Sequence, residues 1–186
     1  ARTGSAKVSL PGGCAIGTRP IDLHLYALKK LGTNIKIKNG YVYAEAKQGL
    51  KGNTIKFSTV SVGATENAIL ASVIAKGKTI IKNAAREPEV QDLCNFLNAM
   101  GAKISSIGEK TIIIEGVKNL KSVEYKIIPD RIVAGTFLIA GLMTRGKLKI
   151  DNIIPGHLKY PIKILKKMGA KIQIKKNYIM LDRRSE

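Results

Sequence analysis

The sequence predicts an α/β fold assembled from copies of one unit: strand, helix, strand, helix, then a two-stranded hairpin. Three observations predict it. The phrase Met100-Gly101-Ala102-Lys103-Ile104 returns as Met168-Gly169-Ala170-Lys171-Ile172, with a weaker version at Leu31-Gly32-Thr33-Asn34-Ile35. Apolar residues recur at helical spacing ahead of each glycine, and short alternating segments follow it. The repeat length, roughly 70 residues, is too long for a thin solenoid and suits a compact α/β unit.

The first copy opens on a strand at Lys7-Val8-Ser9. Ile21, Leu25, Leu28 and Leu31 then mark a helix, and Gly32 stands where the chain must turn left-handed. Ile35-Lys36-Ile37 and Tyr41-Val42-Tyr43 flank Asn39-Gly40, a strong hairpin signal. In the second copy a helix over 64–75 precedes Lys76-Gly77 and the strand Thr79-Ile80-Ile81. Val90, Leu93, Cys94, Leu97 and Met100 form the next helical stripe, and a hairpin joins 103–105 to 111–114 around Gly108-Glu109-Lys110. The third copy repeats this with a helix over 132–143 and a strand at Leu148-Lys149-Ile150. Its second helix carries Ile162, Leu165 and Met168, and its hairpin joins 171–174 to 178–181. Asn83 and Asn152 occupy matching places. Helices as rich in Ala, Ile and Leu as Ala68-Ile69-Leu70-Ala71 are expected to be buried on most sides. Several such units would close around their helices.

At 186 residues the chain is long enough for one large domain or a domain and a half. A hydrophobic content of 45% excludes a disordered chain. No apolar run is long enough to cross a bilayer as a helix. The opening Ala1-Arg2-Thr3-Gly4-Ser5 has neither an initiator Met nor the apolar core of a secretion signal, and reads as though cut from something longer. Cys14 and Cys94 match no metal spacing and are too few for a disulfide scaffold, so both are expected as free thiols in a reducing cytosol.

A net charge of +19 raises the prospect of a polyanionic partner. The lysines are spread along the chain rather than gathered in a stripe, and with three Phe and no Trp there are few platforms for stacking bases. A solvated basic surface is therefore expected over a specific nucleic-acid interface. A basic nucleic-acid-binding module is the alternative, and binding that persists with sequence preference at physiological salt would distinguish it.

Chemistry concentrates in three segments. In Leu10-Pro11-Gly12-Gly13-Cys14-Ala15-Ile16-Gly17-Thr18-Arg19-Pro20, glycines around one cysteine permit close approach to a ligand, and Arg19 would favour the thiolate. The same pattern also fits a small residue filling a turn. Arg19-Pro20-Ile21-Asp22 leads into a helix whose bare amides suit an anion, although Asp22 equally complements the helix dipole. Ser61-Val62-Gly63-Ala64-Thr65 offers a second such start, or simply a Ser N-cap. Arg86-Glu87-Pro88-Glu89 places acids in a first helical turn. Cys94 falls on an apolar face and is expected in the core. His24 could hydrogen-bond a ligand. Neither His24 nor His157 has companions at metal-ligand spacing.

These phrases together resemble one family. The run from Pro11 to His24 is similar to the reactive loop of the UDP-N-acetylglucosamine enolpyruvyl transferases. Residues 61–67, 83–89 and 130–136 are similar to further blocks of that family, so the likeness runs the length of the chain. Shikimate-pathway enolpyruvyl transferases share the fold but lack the cysteine loop. The resemblance implies an inverse α/β barrel in which two domains each hold three copies of the unit. Here residues 1–129 would be most of the reactive domain and 130–186 one unit of the other.

The resemblance also implies a reaction. Enolpyruvate passes from phosphoenolpyruvate to the 3′-hydroxyl of UDP-N-acetylglucosamine in the first committed step of peptidoglycan synthesis, with no cofactor or metal. Cys14 would protonate the enolpyruvyl methylene, form a covalent phosphoenolpyruvate adduct and be the target of fosfomycin. Arg19 would hold substrate phosphates, with Pro20, Ile21, Asp22 and Leu23 lining the UDP-sugar site. Val60, Ser61, Val62 and Gly63 would offer backbone contacts to the diphosphate. Thr59 stands where some members have a substrate-contacting Lys. The upstream Lys-Asn pair and the downstream Asp and Arg residues of the family have no counterpart in this chain, which is expected to be inactive by itself and to need the remainder of the two-domain enzyme. A non-catalytic UDP-sugar binder is the other alternative, and would bind ligand without labelling by fosfomycin.

Overall fold

A computed structural model describes residues 1–12, 17 and 20–182. It divides into two compact units, Ala1–Tyr125 and Lys126–Glu186. In the first unit β1 (Ser5–Ser9), α1 (Asp22–Lys30), β2 (Asn34–Lys38) and β3 (Tyr41–Glu45) come first. They build an antiparallel sheet in the order β1-β3-β2. The predicted turn is the one found: Asn39 and Gly40 both have positive φ, at 51° and 74°, the geometry that matches a two-residue hairpin to strand twist. This sheet is thinly covered. All of β1 is exposed, and Val42 alone among the β-strand apolar residues of the sheet is buried.

The complete unit then follows as predicted: β4 (Thr54–Lys56), α2 (Val62–Ser72), β5 (Lys78–Lys82), α3 (Pro88–Ala99), β6 (Lys103–Ser105) and β7 (Thr111–Glu115). The sheet order is β4-β5-β7-β6, with β4 and β5 parallel across the α2 crossover and the remaining pairs antiparallel. Alternation places Ile81, Ile112, Ile114 and Ile104 on the inner face, against Ala64, Ala68 and Ile69 of α2 and Val90, Cys94 and Leu97 of α3. Each fully buried Ile or Leu contributes about 1.5–3 kcal/mol relative to exposure. As predicted, α2 is covered on most of its circumference, but Leu70 remains 49% exposed.

Two backbone approaches lock the unit. A Cβ at Gly116 would overlap the carbonyl oxygen of Ala75, and one at Gly52 would overlap that of Lys78. The Gly116 N–H donates to Gly77 O at 2.9 Å, tying the end of β7 to the turn before β5. Beyond β7 the chain crosses α3. Lys121 N–H donates to Met100 O at 2.8 Å, and Tyr125 packs on Phe96 with ring centroids 5.1 Å apart.

The second unit holds α4 (Arg131–Met143), β8 (Lys147–Asp151), a 3₁₀ turn (Pro155–Leu158), α5 (Lys159–Lys167), β9 (Lys171–Ile174) and β10 (Tyr178–Asp182). Its antiparallel sheet has the order β8-β10-β9. Leu138, Leu158, Ile162, Ile179 and Leu181 form a separate core. Asn83 and Asn152 match in geometry as well as place, with φ of 58° and 53°.

The structure corrects the expected unit in two ways here. No leading strand precedes α4, because residues 117–130 form none, and β8 keeps the edge that β5 gives to β4. A strand needs a neighbouring edge for its alternate amides, and no described strand pairs with this stretch, where Ile127 is 75% exposed. The apolar spacing of α4 and α5 also overstates burial. Ala134, Leu138 and Leu142 are buried, whereas Ile132, Val133, Phe137 and Met143 on the opposite side of α4 are more than half exposed, as is Met168 after α5.

Candidate functional site

The predicted site residues that the structure describes lie in the first unit. Cys14 and Arg19 lie outside the described residues. Pro20 is exposed, Ile21 is the N-cap residue of α1, and Asp22 occupies its first turn, where a carboxylate meets the positive end of the helix dipole. Leu23 is half-buried against the core and anchors this start.

Thr59 and Val60 are exposed on the connection from β4 to α2. Ser61 is a true N-cap in extended conformation, its Oγ accepting from Ala64 N–H at 3.3 Å. That satisfies one of the first amides. The N–H groups of Val62 and Gly63 have no acceptor within the helix, as helix geometry requires. Both readings of this segment therefore hold together: the side chain caps, and two amides stay available at a positive helix end.

The contact that unites the segments is His24. Asn67 Nδ2 on α2 lies 3.1 Å from His24 Nδ1 on α1, and Gly63 packs against the same ring, where a Cβ would stand 3.4 Å from Cε1. The two helix starts are thereby held side by side, with Gly63 in van der Waals reach of the ring. Asn67 was embedded in a recognised block without a role of its own. The only signal for it was the polar pair Glu66-Asn67 inside an otherwise apolar helix.

The third block joins through Thr65. Its hydroxyl donates to Ser61 O at 2.7 Å and accepts from Ala85 N–H at 3.1 Å, so a fully buried side chain bolts the β5–α3 connection to the start of α2. Asn83, in its left-handed conformation, donates from Nδ2 to Phe57 O at 3.2 Å and fixes the same connection to β4. Pro88 takes the first helical position of α3 and Glu89 lies in its first turn, as the sequence suggested, but Glu87 caps no helix amide: its Oε2 accepts from Arg86 N–H, outside the helix, at 2.8 Å. A cavity of about 460 Å³ lies between Val60, Asn83, Arg86, Glu87, Gly108 and Lys110.

Electrostatics around this corner are uneven. Glu66, half-buried on α2, has its carboxyl pushed above the usual range, first by desolvation and then by the charges of Glu89 and Glu87. Cys94 is fully buried on α3 and its thiol is pushed up to about 11 by burial, the signature of an inert core cysteine. Among the described residues no cluster of three His, Cys, Asp or Glu side chains could hold a metal. No helix among them is long and apolar enough to cross a membrane.

Known proteins resemble this chain over nearly its whole length. The chain is 58% identical over 181 residues to a UDP-N-acetylglucosamine 1-carboxyvinyltransferase of Pelagibacter ubique, covering 97% of this chain and 43% of that protein. It is 57% identical over 173 residues to one of Endomicrobium trichonymphae, covering 93% and 41%. The chain thus spans less than half the length of these curated relatives. Its fold is that of the enolpyruvyl transferase NikO from Streptomyces tendae, with a TM-score of 0.82 at 23% identity, over 97% of this chain and 44% of that one. The α/β fold predicted from the repeat is therefore the fold found. With residues 1–185 matching the model of EPSP synthase (3-phosphoshikimate 1-carboxyvinyltransferase), the chain belongs to that family of carboxyvinyltransferases.

Proposed function

We propose that this chain is part of a cytosolic enzyme that moves enolpyruvate from phosphoenolpyruvate to the 3′-hydroxyl of UDP-N-acetylglucosamine, releasing phosphate at the entry to peptidoglycan synthesis. The observation that carries the reading is the identity of 57–58% to relatives bearing that activity in their names. The pairing of two helix starts across His24 supports it. A nucleotide diphosphate needs several N–H donors and positive helix ends in one place, and Pro20–Leu23 with Val60–Gly63 supply such a place.

The chemistry assigns roles. The sugar oxygen adds to C2 of the enolpyruvyl group while its hydroxyl proton goes to a base, and a proton is delivered to the C3 methylene. Loss of phosphate and of one C3 proton then restores the double bond. Cys14 is the donor to C3 in this reading, and its thiolate accounts for a phosphoenolpyruvate adduct and for alkylation by fosfomycin. Arg19 neutralises phosphate charge, Pro20 to Leu23 line the UDP-sugar, and Ser61, Val62 and Gly63 meet the diphosphate. Thr59 leaves that side with one cation fewer than a Lys would. The base for the sugar hydroxyl is proposed in the part of the relatives that this chain does not span. The same reading places the units within an inverse α/β barrel, residues 1–129 in the reactive domain and 130–186 in its companion.

The test is phosphate release by the full-length protein given both substrates. Cys14→Ser is expected to abolish turnover and fosfomycin labelling while UDP-N-acetylglucosamine still binds. Absence of phosphate release from the unsubstituted full-length protein would overturn the assignment.

A further inference from the structure

The second unit departs from the repeat at one groove. Between α5 and β9 lies an open cavity of about 670 Å³ whose floor is Pro155, Ile162 and Ile174. Lys159, Lys163, Lys166 and Lys167 form its walls. In the first unit the corresponding groove is filled. Gln91, which matches Lys159 in the repeat, donates from Nε2 to Arg86 O at 2.7 Å and packs beneath Gly108, where a Cβ would sit 3.3 Å from its Oε1. Ile107 of the same turn packs against the core. The second unit has neither plug. Ile104 and Ile112 are 8 residues apart in one hairpin, and their counterparts Ile172 and Ile179 only 7, so the turn is one residue shorter. Ile174 is left 47% exposed.

Charge here is one-sided. Between Asn152 and Leu181 there are 7 lysines and no Asp or Glu. The neighbouring acids are engaged elsewhere, Asp151 with Lys149 at 2.9 Å and Asp182 with Lys147 at 3.9 Å. Lysine stems can cover apolar surface while their ammonium groups stay in water, so the walls present a rim of charge above an apolar floor.

We propose that this groove docks an acidic segment of a partner protein, one in which apolar side chains alternate with carboxylates. The floor selects apolar side chains, and the four lysines select carboxylates beside them. Other occupants fit less of what is present. A planar anionic membrane would meet the ammonium groups and leave the groove beneath them unfilled. Nucleic acid would leave the floor unfilled and finds no aromatic residue on which to stack. A second copy of a chain carrying +19 would bring like charge to like.

Binding of fluorescent synthetic peptides to the full-length protein at physiological ionic strength tests the proposal. A peptide alternating leucine and glutamate is expected to bind about tenfold tighter than one with serine in place of leucine, since apolar anchors carry most of such affinity. Ile174→Ser and the pair Lys163→Glu/Lys166→Glu are each expected to weaken the first peptide about tenfold, with thermal melting unchanged because these side chains are exposed. Equal affinity for the two peptides would reduce the groove to general electrostatics and overturn the proposal. So would preferential binding to phosphatidylglycerol vesicles, or a dimer in sedimentation that Ile174→Ser dissolves.

Discussion

Residues in this protein divide by what surrounds them, and its two cysteines show the contrast. Cys94 lies wholly inside the apolar stripe of α3, where burial holds its thiol at about 11. In a Cys14→Ser chain the remaining thiol is expected to resist iodoacetamide at about pH 8 and to react only after guanidinium unfolds the protein. Rapid labelling of the folded chain would contradict the burial. Tyr125 is raised to about 12, first by desolvation and then by its hydrogen bond to Asp92, whose Oδ1 accepts at 2.7 Å. The fold therefore favours the neutral phenol. Its contribution to stability is fully present below the ordinary value of 10.0 and is lost as pH rises through about 12. Tyr125→Phe is expected to lower the melting temperature at neutral pH and to flatten the alkaline decline. Gly116 is fixed by space rather than by chemistry. Gly116→Ala would drive a methyl into the Ala75 carbonyl and is expected to cost about 1–3 kcal/mol or more in urea unfolding.

Elements carry their own signals at their ends. Asp130 caps α4, its Oδ1 accepting from Ile132 N–H at 2.7 Å and Val133 N–H at 3.1 Å. Asp130→Ala is expected to cost about 1 kcal/mol, with Asp130→Asn retaining most of that stability. Along α2 the informative residue is Glu66, raised by desolvation and by Glu89 and Glu87. A raised carboxyl favours the protonated form in the fold, so its favourable contribution exists at low pH and is lost as pH rises through the folded value. At neutral pH the charge is a burden. Glu66→Gln is expected to raise the melting temperature at neutral pH and to have little effect near about pH 4, where the native carboxyl is already protonated. Equal gains at both pH values would assign the effect to packing instead.

At the scale of the molecule, the two cores and three sheets among the described residues follow from one repeated pattern, and much of that pattern was readable. Period-two alternation, glycines after helices and the Asn39-Gly40 turn name local conformations, which depend on neighbours a few residues away. Cys94 in the core, the Ser61 cap and the acid-led start of α3 were legible for the same reason. The leading strand expected before α4 failed because a strand also needs a distant edge to pair with. Exposed Phe137 and Met143 were equally beyond periodicity, since helical spacing names an apolar residue and says nothing of what covers it.

The candidate site divides along the same line. By itself the sequence determined the α/β unit, its repetition, the family likeness and the segments in which chemistry concentrates, because each is written in local order and spacing. Only the tertiary structure decided that His24 meets Asn67 across 43 residues of chain, that Thr65 bolts Ala85 to the start of α2, and that three carboxylates crowd at Glu66. It also decided that the groove plugged by Gln91 in one unit lies open beside Lys159 in the other. These are contacts between residues far apart in sequence, and their energies depend on burial and distance, which arise only when the elements pack.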